Sequence, residues 1–258
     1  TMIFNAIKKK YPHIKVIGTS GPFYEGTDYV EGWGIARKLG VDLIDEHYYV
    51  SPGWFIHNQD YYDKYDRNGS KVYLGEYASH LPGRPNNLET ALSEALHLNN
   101  LERNGDVVAM SSYAPLFAKE GFTQWNPDLI YFTNTEVKLT PGYYVQHLYG
   151  NTPGDEYIPA DLKYSSNDAG VIKRVSTSIV KNTKTNELIV RAVNLLPVST
   201  HIRLHLDEYS HNKGVQKTVL SGSPADHKAQ PVTSEIQLQA NTPEILPPYS
   251  LTIWRITL

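Results

Sequence analysis

The chain has 258 residues, with 24 Lys and Arg against 27 Asp and Glu, and its formal net charge is −3. This balance provides neither the basic surface that nucleic acid binding needs nor a polybasic segment for a membrane surface, and no apolar run reaches the length of a membrane span. The chain has no cysteine, which excludes disulfides, a thiolate nucleophile and a zinc–cysteine site.

The N-terminal segment predicts a helix and not a signal peptide. Residues 1–20, TMIFNAIKKKYPHIKVIGTS, contain no long apolar core and no small-residue cleavage site. Apolar residues recur at helical spacing, and Lys8–Lys10 suit a last helical turn. We interpret this segment as the middle of a helix, which predicts that the chain is a fragment of a longer protein. The compartment stays open, since the covered sequence is compatible with a secreted or periplasmic protein.

Four short runs of strand-forming residues all end in small or polar residues. They are IKVIGTS (residues 14–20), VDLIDEHYY (41–49), VYLGEYA (72–78) and VVAMSSYAP (107–115). The runs begin roughly thirty residues apart, the length of a strand–helix unit. Strands that alternate with helices predict a parallel sheet, at whose carboxyl edge catalytic groups collect.

The segments between these runs predict helices. GWGIARKLG ends at Gly40, a typical stop signal, and NNLETALSEALHLNNLERNG carries a broad apolar stripe that Asn86 or Asn87 can cap. A further helix, PGYYVQHLYGN (Pro141–Asn151), is expected after a long irregular loop that contains Trp125. The strand–helix units form either a small open sheet or half of an eight-stranded barrel, which needs about 250 residues by itself.

The sequence pattern changes near residue 155. Apolar and polar residues alternate on both sides of KNTKTNE (residues 181–187), which predicts a hairpin. We therefore expect an antiparallel β-sandwich over residues 155–258, with GNTPGDEYIP (150–159) as the junction. The predicted domains are residues 1–154 and 155–258.

The sequence lacks the motifs of several enzyme classes. No His-x-His or His-Glu-x-x-His occurs, so no metal site is predicted. IGTSGP (residues 17–22) does not have the spacing of a serine hydrolase elbow, and no glycine-rich phosphate loop is found. Glu46 and Glu76 fall where a predicted strand runs out into its loop, although a single glutamate is usually a solvated surface group.

Five sequence motifs together carry a family resemblance. VYLGEYASH, VDLIDEHYY, MSSYAPLFA, WNPDLIYF and YYVQHLYGNTPGD together resemble the C-terminal half of the α-L-arabinofuranosidases of glycoside hydrolase family 51. The resemblance implies a (β/α)8 TIM barrel followed by an antiparallel β-sandwich, so the runs above would be barrel strands five to eight. It also implies hydrolysis of terminal arabinofuranosyl residues with retention of configuration, without a cofactor.

The resemblance also implies roles for individual residues. Glu76 corresponds to the catalytic nucleophile, His47 and Tyr49 line the sugar pocket, and Trp125 lies in a loop that helps to enclose it. Because strand side chains alternate, Glu46 is expected to face away, into a salt bridge or a helix contact. Gly75 either makes room where the strand end crowds the pocket or is a strand-end irregularity.

The family's acid/base glutamate lies in a Gly-Asn-Glu-like motif that this chain does not contain. Retaining hydrolysis needs both carboxyl groups, so the chain alone is expected to be inactive. The expected partner is an arabinose-containing oligo- or polysaccharide, and an exposed half-barrel invites self-association. The alternative is a non-catalytic carbohydrate-binding or structural fragment.

Overall fold

The computed structural model describes residues 1–206, 214–238 and 242–258, and its fold is mixed α/β with several sheets, as the sequence predicted. The parts of the expected β-sandwich at 207–213 and 239–241 lie outside the described residues. The chain forms two compact units. The first consists of Thr1–Val50, Asp60–Ala78 and Asn104–Ala114, and the second of Ser51–Gln59, Ser79–Arg103 and Pro115–Leu258.

The first unit is built on a four-stranded sheet. Its strands follow chain order: β1 (Ile17–Thr19), β2 (Leu43–Val50), β3 (Lys71–Ser79) and β4 (Val108–Ser111). β1 pairs parallel with β2, and β3 pairs parallel with β4. β1 and β4 fall within predicted runs, whereas β2 ends one residue after its run and β3 exceeds its run by one residue at each end. β2 and β3 continue several residues beyond their glutamates, because aromatic and β-branched residues follow and favour extended backbone.

Two helices belong to the first unit, α1 (Met2–Lys10) and α2 (Thr27–Leu39). The predicted stop at Gly40 is confirmed, since this residue takes the left-handed conformation with φ 60° and ψ 45°. α2 buries Trp33 and Ala36.

The second unit contains the helices α3 (Pro52–His57), α4 (Leu88–Arg103), α5 (Pro141–Asn151) and α6 (Ala169–Ile172). The predicted cap of α4 is confirmed at Asn87, whose Oδ1 accepts a hydrogen bond from the Thr90 N–H at 3.1 Å. α4 is buried on all sides from Thr90 to Leu101, polar residues included, so its burial extends beyond the predicted apolar stripe.

The expected irregular loop around Trp125 contains a small sheet instead. Three strands of three residues each, β5 (Phe117–Lys119), β6 (Ile130–Phe132) and β7 (Val137–Leu139), pair in chain order. β5 and β6 are parallel, whereas β6 and β7 are antiparallel. Strands this short span too few residues to show an alternating pattern, which is why the sequence did not indicate them.

The C-terminal part of the second unit is a six-stranded antiparallel sheet with the order β13-β12-β15-β10-β9-β8. Its strands are β8 (Glu156–Tyr157), β9 (Val175–Asn182), β10 (Glu187–Asn194), β12 (Val215–Ser221), β13 (Val232–Ile236) and β15 (Ser250–Thr257). β11 (Thr200–Ile202) and β14 (Glu244–Leu246) form a separate pair. The predicted hairpin is the turn between β9 and β10, and Trp254 and Leu188 lie in the core of this part. Among the described residues, no helix is both long and apolar enough to cross a membrane.

Candidate active site

The two faces of β2 carry different side chains. Asp45, His47 and Tyr49 are partly exposed on one face, whereas Glu46 and Tyr48 are fully buried on the other. This division follows from the two-residue repeat of a strand. It places every second residue of the DEHYY run on one partly exposed face.

Glu76 of β3 is in direct contact with the exposed face of β2. The Tyr49 hydroxyl donates a hydrogen bond to Glu76 Oε2 at 2.6 Å, and His47 Nδ1 lies 3.6 Å from the same oxygen. The Glu76 side chain is 42% exposed. The tyrosine hydrogen bond and the histidine contact both fall on the same carboxylate oxygen, Oε2. Three of the predicted site residues are thus brought together.

Asp45 belongs to the same cluster, and the sequence analysis missed it. Its Oδ2 lies 2.8 Å from His47 Nε2. The signal that could have found it is the strand repeat itself, since Asp45 lies two residues before His47 and therefore on the same face. Burial raises the pKa of the Asp45 carboxyl, and the neighbouring His47 opposes this rise.

Gly75 of β3 lies against the Asp45 and His47 side chains of β2. A Cβ atom at this position would collide with Asp45 Oδ1 and would lie 3.1 Å from His47 Nε2. Of the two interpretations of Gly75, the structure therefore supports the one in which the residue makes room at a crowded strand end. The carbonyl of Gly75 accepts a hydrogen bond from the Ser112 hydroxyl at 2.7 Å, which ties β3 to the residue that follows β4.

Glu46 faces away from this cluster, as expected, and the helix contact is the correct one of the two predicted environments. Trp33 Nε1 of α2 and the Tyr65 hydroxyl donate to Glu46 Oε1, and the Tyr62 hydroxyl donates to Oε2, each at 2.9 Å. Burial raises the pKa of the Glu46 carboxyl, and these three neutral donors oppose the rise. Because it has no exposed surface, Glu46 does not reach the partly exposed face that carries Asp45, His47 and Tyr49.

Tyr49 is a neutral hydrogen-bond donor at physiological pH. Burial raises the pKa of its phenol, and the adjacent Glu76 raises it further. A carboxylate with a permanent donor on one oxygen and the other oxygen open can act as a nucleophile.

Trp125, the remaining predicted site residue, lies in the second unit. Its ring is 36% exposed and carries the Arg84 guanidinium 4.7 Å from the ring centroid, with the His80 ring 6.1 Å away. Burial lowers the pKa of His80 to about 4, so this imidazole is neutral at physiological pH. The described residues contain no group of three or more side chains that could hold a metal ion.

The fold and this cluster define an α/β protein with an enzyme-like carboxylate site. The family model described as the α-L-arabinofuranosidase C-terminal domain matches residues 57–244, more than half of the chain. The chain therefore belongs to the α-L-arabinofuranosidase family. The resemblance to the C-terminal half of a family 51 enzyme is confirmed.

Individual relatives agree with this membership. The chain is 45% identical over 167 residues to an extracellular exo-α-L-arabinofuranosidase of Streptomyces chartreusis, a match over 65% of this chain and 20% of that protein. It is 30% identical over 271 residues to α-L-arabinofuranosidase 1 of Arabidopsis thaliana, with 97% of this chain and 37% of that protein covered. The chain thus spans between a fifth and about two fifths of these relatives.

A solved structure has the same fold. The arabinose-bound α-L-arabinofuranosidase MgGH51 superposes with a TM-score of 0.83 at 24% identity, and the match covers 98% of this chain and 41% of that one.

Proposed function

We propose that the chain is part of a retaining α-L-arabinofuranosidase that hydrolyses terminal arabinofuranosyl residues of plant oligo- or polysaccharides. The observation that carries this proposal is the partly exposed Glu76 carboxylate, with the Tyr49 hydroxyl and His47 Nδ1 at one of its oxygens. Family membership and the names of the relatives supply the substrate class.

In this proposal Glu76 is the nucleophile. It attacks the anomeric carbon of the arabinofuranosyl group and forms a glycosyl-enzyme, which water then hydrolyses. His47 and Tyr49 line the sugar pocket, and the exposed indole of Trp125 offers an apolar face that suits a sugar ring. No cofactor takes part.

The reaction also needs an acid/base carboxyl about 5 to 5.5 Å from the nucleophile. The family motif that would carry it is absent from this sequence. We therefore expect the 258-residue chain alone to be inactive, or to show residual activity only, and the full-length protein to be active.

The finer architecture is part of the same proposal. Residues 1–154 form the second half of a (β/α)8 barrel, with β1 to β4 as barrel strands five to eight, and residues 155–258 form a β-sandwich. The parallel pairs β1–β2 and β3–β4 support the first assignment, and the six-stranded antiparallel sheet supports the second.

Half of a barrel leaves open strand edges, and we propose that these cause the isolated chain to self-associate. The outer strands of the sheet support this, since Ile17 of β1 is 44% exposed and Met110 of β4 is 45% exposed. Sedimentation of the purified chain should give a dimer or a larger species, and a monomer at high concentration would contradict the proposal.

Substitution of the nucleophile tests the enzymatic proposal. In the full-length protein, Glu76→Gln should keep the fold and sugar binding but lose at least about 10⁴-fold in kcat on an aryl α-L-arabinofuranoside, because the covalent step is lost. Glu31→Gln is the matched control, since Glu31 is an exposed glutamate of α2 in the same unit. Near-normal turnover by Glu76→Gln would show that the nucleophile is a different residue.

The second candidate is a non-catalytic carbohydrate-binding module. The exposed Trp125 ring beside Arg84 favours it, because sugars stack on such rings. Titration with arabinose, followed by NMR or crystallography, separates the two functions. Sugar at Glu76 supports the enzyme, whereas sugar only on the second unit, with no activity in the full-length protein, supports the module.

A further inference from the structure

We propose that Asp45 is a positioning residue for the nucleophile and that it acts through His47. This inference rests on the proposed function, in which Glu76 attacks the sugar. Asp45 itself does not touch Glu76 in this arrangement. It fixes the imidazole that does approach Glu76.

The contacts define a chain of three side chains. A carboxylate can only accept, so the 2.8 Å contact between Asp45 Oδ2 and His47 Nε2 places a hydrogen on Nε2. This bond orients the ring so that Nδ1 lies 3.6 Å from Glu76 Oε2. An imidazole held at one nitrogen has a defined orientation at the other, as in the hydrogen-bonded histidines of other enzymes.

The local sequence accommodates this pair. Any side chain at position 75 would collide with Asp45, and glycine is the residue that has none. Burial disfavours the charged form of Asp45, which makes its position costly unless a strong donor is present. The side-chain donor at Asp45 Oδ2 is His47 Nε2–H. Asp45 thus fixes the orientation of the His47 imidazole, and Gly75 leaves the space that Asp45 occupies.

The consequence for Glu76 is a fixed carboxylate plane. Tyr49 and His47 approach Oε2, which leaves Oε1 for the sugar. In the covalent step, a bond forms between Oε1 and the anomeric carbon while the bond to the leaving oxygen breaks, and that oxygen keeps the electron pair. With a dinitrophenyl leaving group the phenolate departs without a proton, so the rate of this step reports on the nucleophile side alone.

A double-mutant cycle in the full-length protein tests the inference. The variants are Asp45→Ala, His47→Gln and the double variant, with the rate of glycosyl-enzyme formation from a dinitrophenyl α-L-arabinofuranoside as the readout. Asp45→Ala should lower this rate on the order of 100-fold, the loss expected for a misplaced reacting group. In the His47→Gln background the same change should cost less than about threefold, because the residue through which Asp45 acts is already gone.

Asp42→Ala is the matched control, since this aspartate immediately precedes β2 and pairs with Lys8 at 3.0 Å. It should leave the rate within about twofold of the wild type, as expected for a substitution away from the reacting groups. Equal losses from Asp45→Ala with and without His47 would overturn the inference. If Glu76→Gln is inactive in the same assay, only the inference about Asp45 fails and the proposed function stands. If Glu76→Gln is active, the proposed function itself is refuted.

A measurement on the unmodified protein guards against misfolded variants. Nitrogen-15 NMR of the His47 imidazole should show a hydrogen on Nε2 at neutral pH, because Asp45 accepts it. An Nε2 without hydrogen would refute the proposed contact without any substitution.

Discussion

Two buried glutamates, Glu46 of the first unit and Glu94 of the second, differ in the number of hydrogen-bond donors around them. In the first unit, Glu46 accepts three side-chain hydrogen bonds and Glu76 accepts one from Tyr49. In the second unit, Glu94 of α4 is fully buried, and its Oε1 accepts one hydrogen bond, from the Ser79 backbone N–H at 2.8 Å. Within the described residues, Glu94 Oε2 has no hydrogen-bond partner.

The two glutamates differ in how many hydrogen-bond donors oppose the rise in pKa that burial causes. Burial raises the pKa of Glu94 to about 8, and the single backbone donor offsets this only partly. Glu94 is therefore largely protonated at neutral pH, which suits a structural role in the helix core. Glu46 of the first unit instead accepts hydrogen bonds from three side chains, which oppose the rise that burial causes in its pKa.

Among substitutions that leave the proposed nucleophile in place, the largest effect is expected from closing the space beside the Asp45–His47 pair. Gly75→Ala places a Cβ against Asp45 Oδ1 and His47 Nε2, so the pair must move away from Glu76. In the full-length protein, kcat/KM for an aryl α-L-arabinofuranoside should fall about 1,000-fold, or about 4 kcal/mol in transition-state stabilisation.

Gly34→Ala in α2 is the control for this change. A Cβ at Gly34 meets no atom within 4 Å. The change should leave activity intact and stabilise the helix by up to about 1 kcal/mol. Activity within tenfold of the wild type in Gly75→Ala would mean that the Asp45–His47 pair is not needed in its present position.

The next effect concerns Glu94 and the pH dependence of stability. Its folded pKa of about 8 lies above the ordinary value of 4.5, so its ionisation opposes folding. The contribution of Glu94 to the free energy of unfolding is therefore fully present below about pH 4.5. It is lost as the pH rises toward 8, because the unfolded chain ionises first. Glu94→Gln removes this dependence and should gain a few kcal/mol over the wild type between pH 5 and pH 8.

Thermal unfolding at pH 5, 6.5 and 8 checks this prediction. The Tm of Glu94→Gln minus that of the wild type should increase by about 5 to 10 °C across the range. Glu89→Gln, a partly exposed glutamate of the same helix, is the control. Parallel curves for the wild type and Glu94→Gln would mean that Glu94 is ionised in the folded protein.

A smaller effect is expected at Glu46. Glu46→Gln replaces one acceptor oxygen by an NH₂ group, so one of the donors Trp33, Tyr62 or Tyr65 loses its partner. The free energy of unfolding should fall by about 1–3 kcal/mol, while kcat of the folded protein should stay within about threefold. Denaturant titration and kinetics separate the two quantities. A variant as stable as the wild type would show that Glu46 is held as the neutral acid, as Glu94 is.

Much of the site could be predicted because strand ends and alternation are local properties. His47 and Tyr49 lie two residues apart in one run, so they share a face in any strand, and the family motif added Glu76. The same two-residue repeat places Asp45 on this face. Its role was overlooked, because an aspartate in a strand indicates no function until its hydrogen-bond partner is known. Gly75 stayed ambiguous for a similar reason, since only the position of Asp45 shows what its missing side chain avoids.

Features that depend on packing between distant segments were not predictable. Glu94 lies in a helix whose apolar stripe indicates one buried face, yet tertiary packing covers the polar face as well. The strands β5, β6 and β7 are too short to show periodicity, and the parallel pairing of β5 with β6 joins segments that are ten residues apart. Local patterns thus predicted the elements, and long-range contacts decided the environments of the charged groups.

The smallest effect compares two tyrosine–glutamate hydrogen bonds on opposite sides of β2. Tyr49→Phe removes the 2.6 Å bond to Glu76, and Tyr65→Phe removes the 2.9 Å bond to Glu46. Tyr49→Phe should lower kcat on a dinitrophenyl arabinofuranoside about tenfold, or about 1.4 kcal/mol, because the nucleophile loses its permanent donor. Tyr65→Phe should instead lower Tm by a few degrees and leave kcat within about twofold. Equal effects of both variants on kcat would show that the catalytic cluster responds to general loosening of β2 and not to the donor on Glu76.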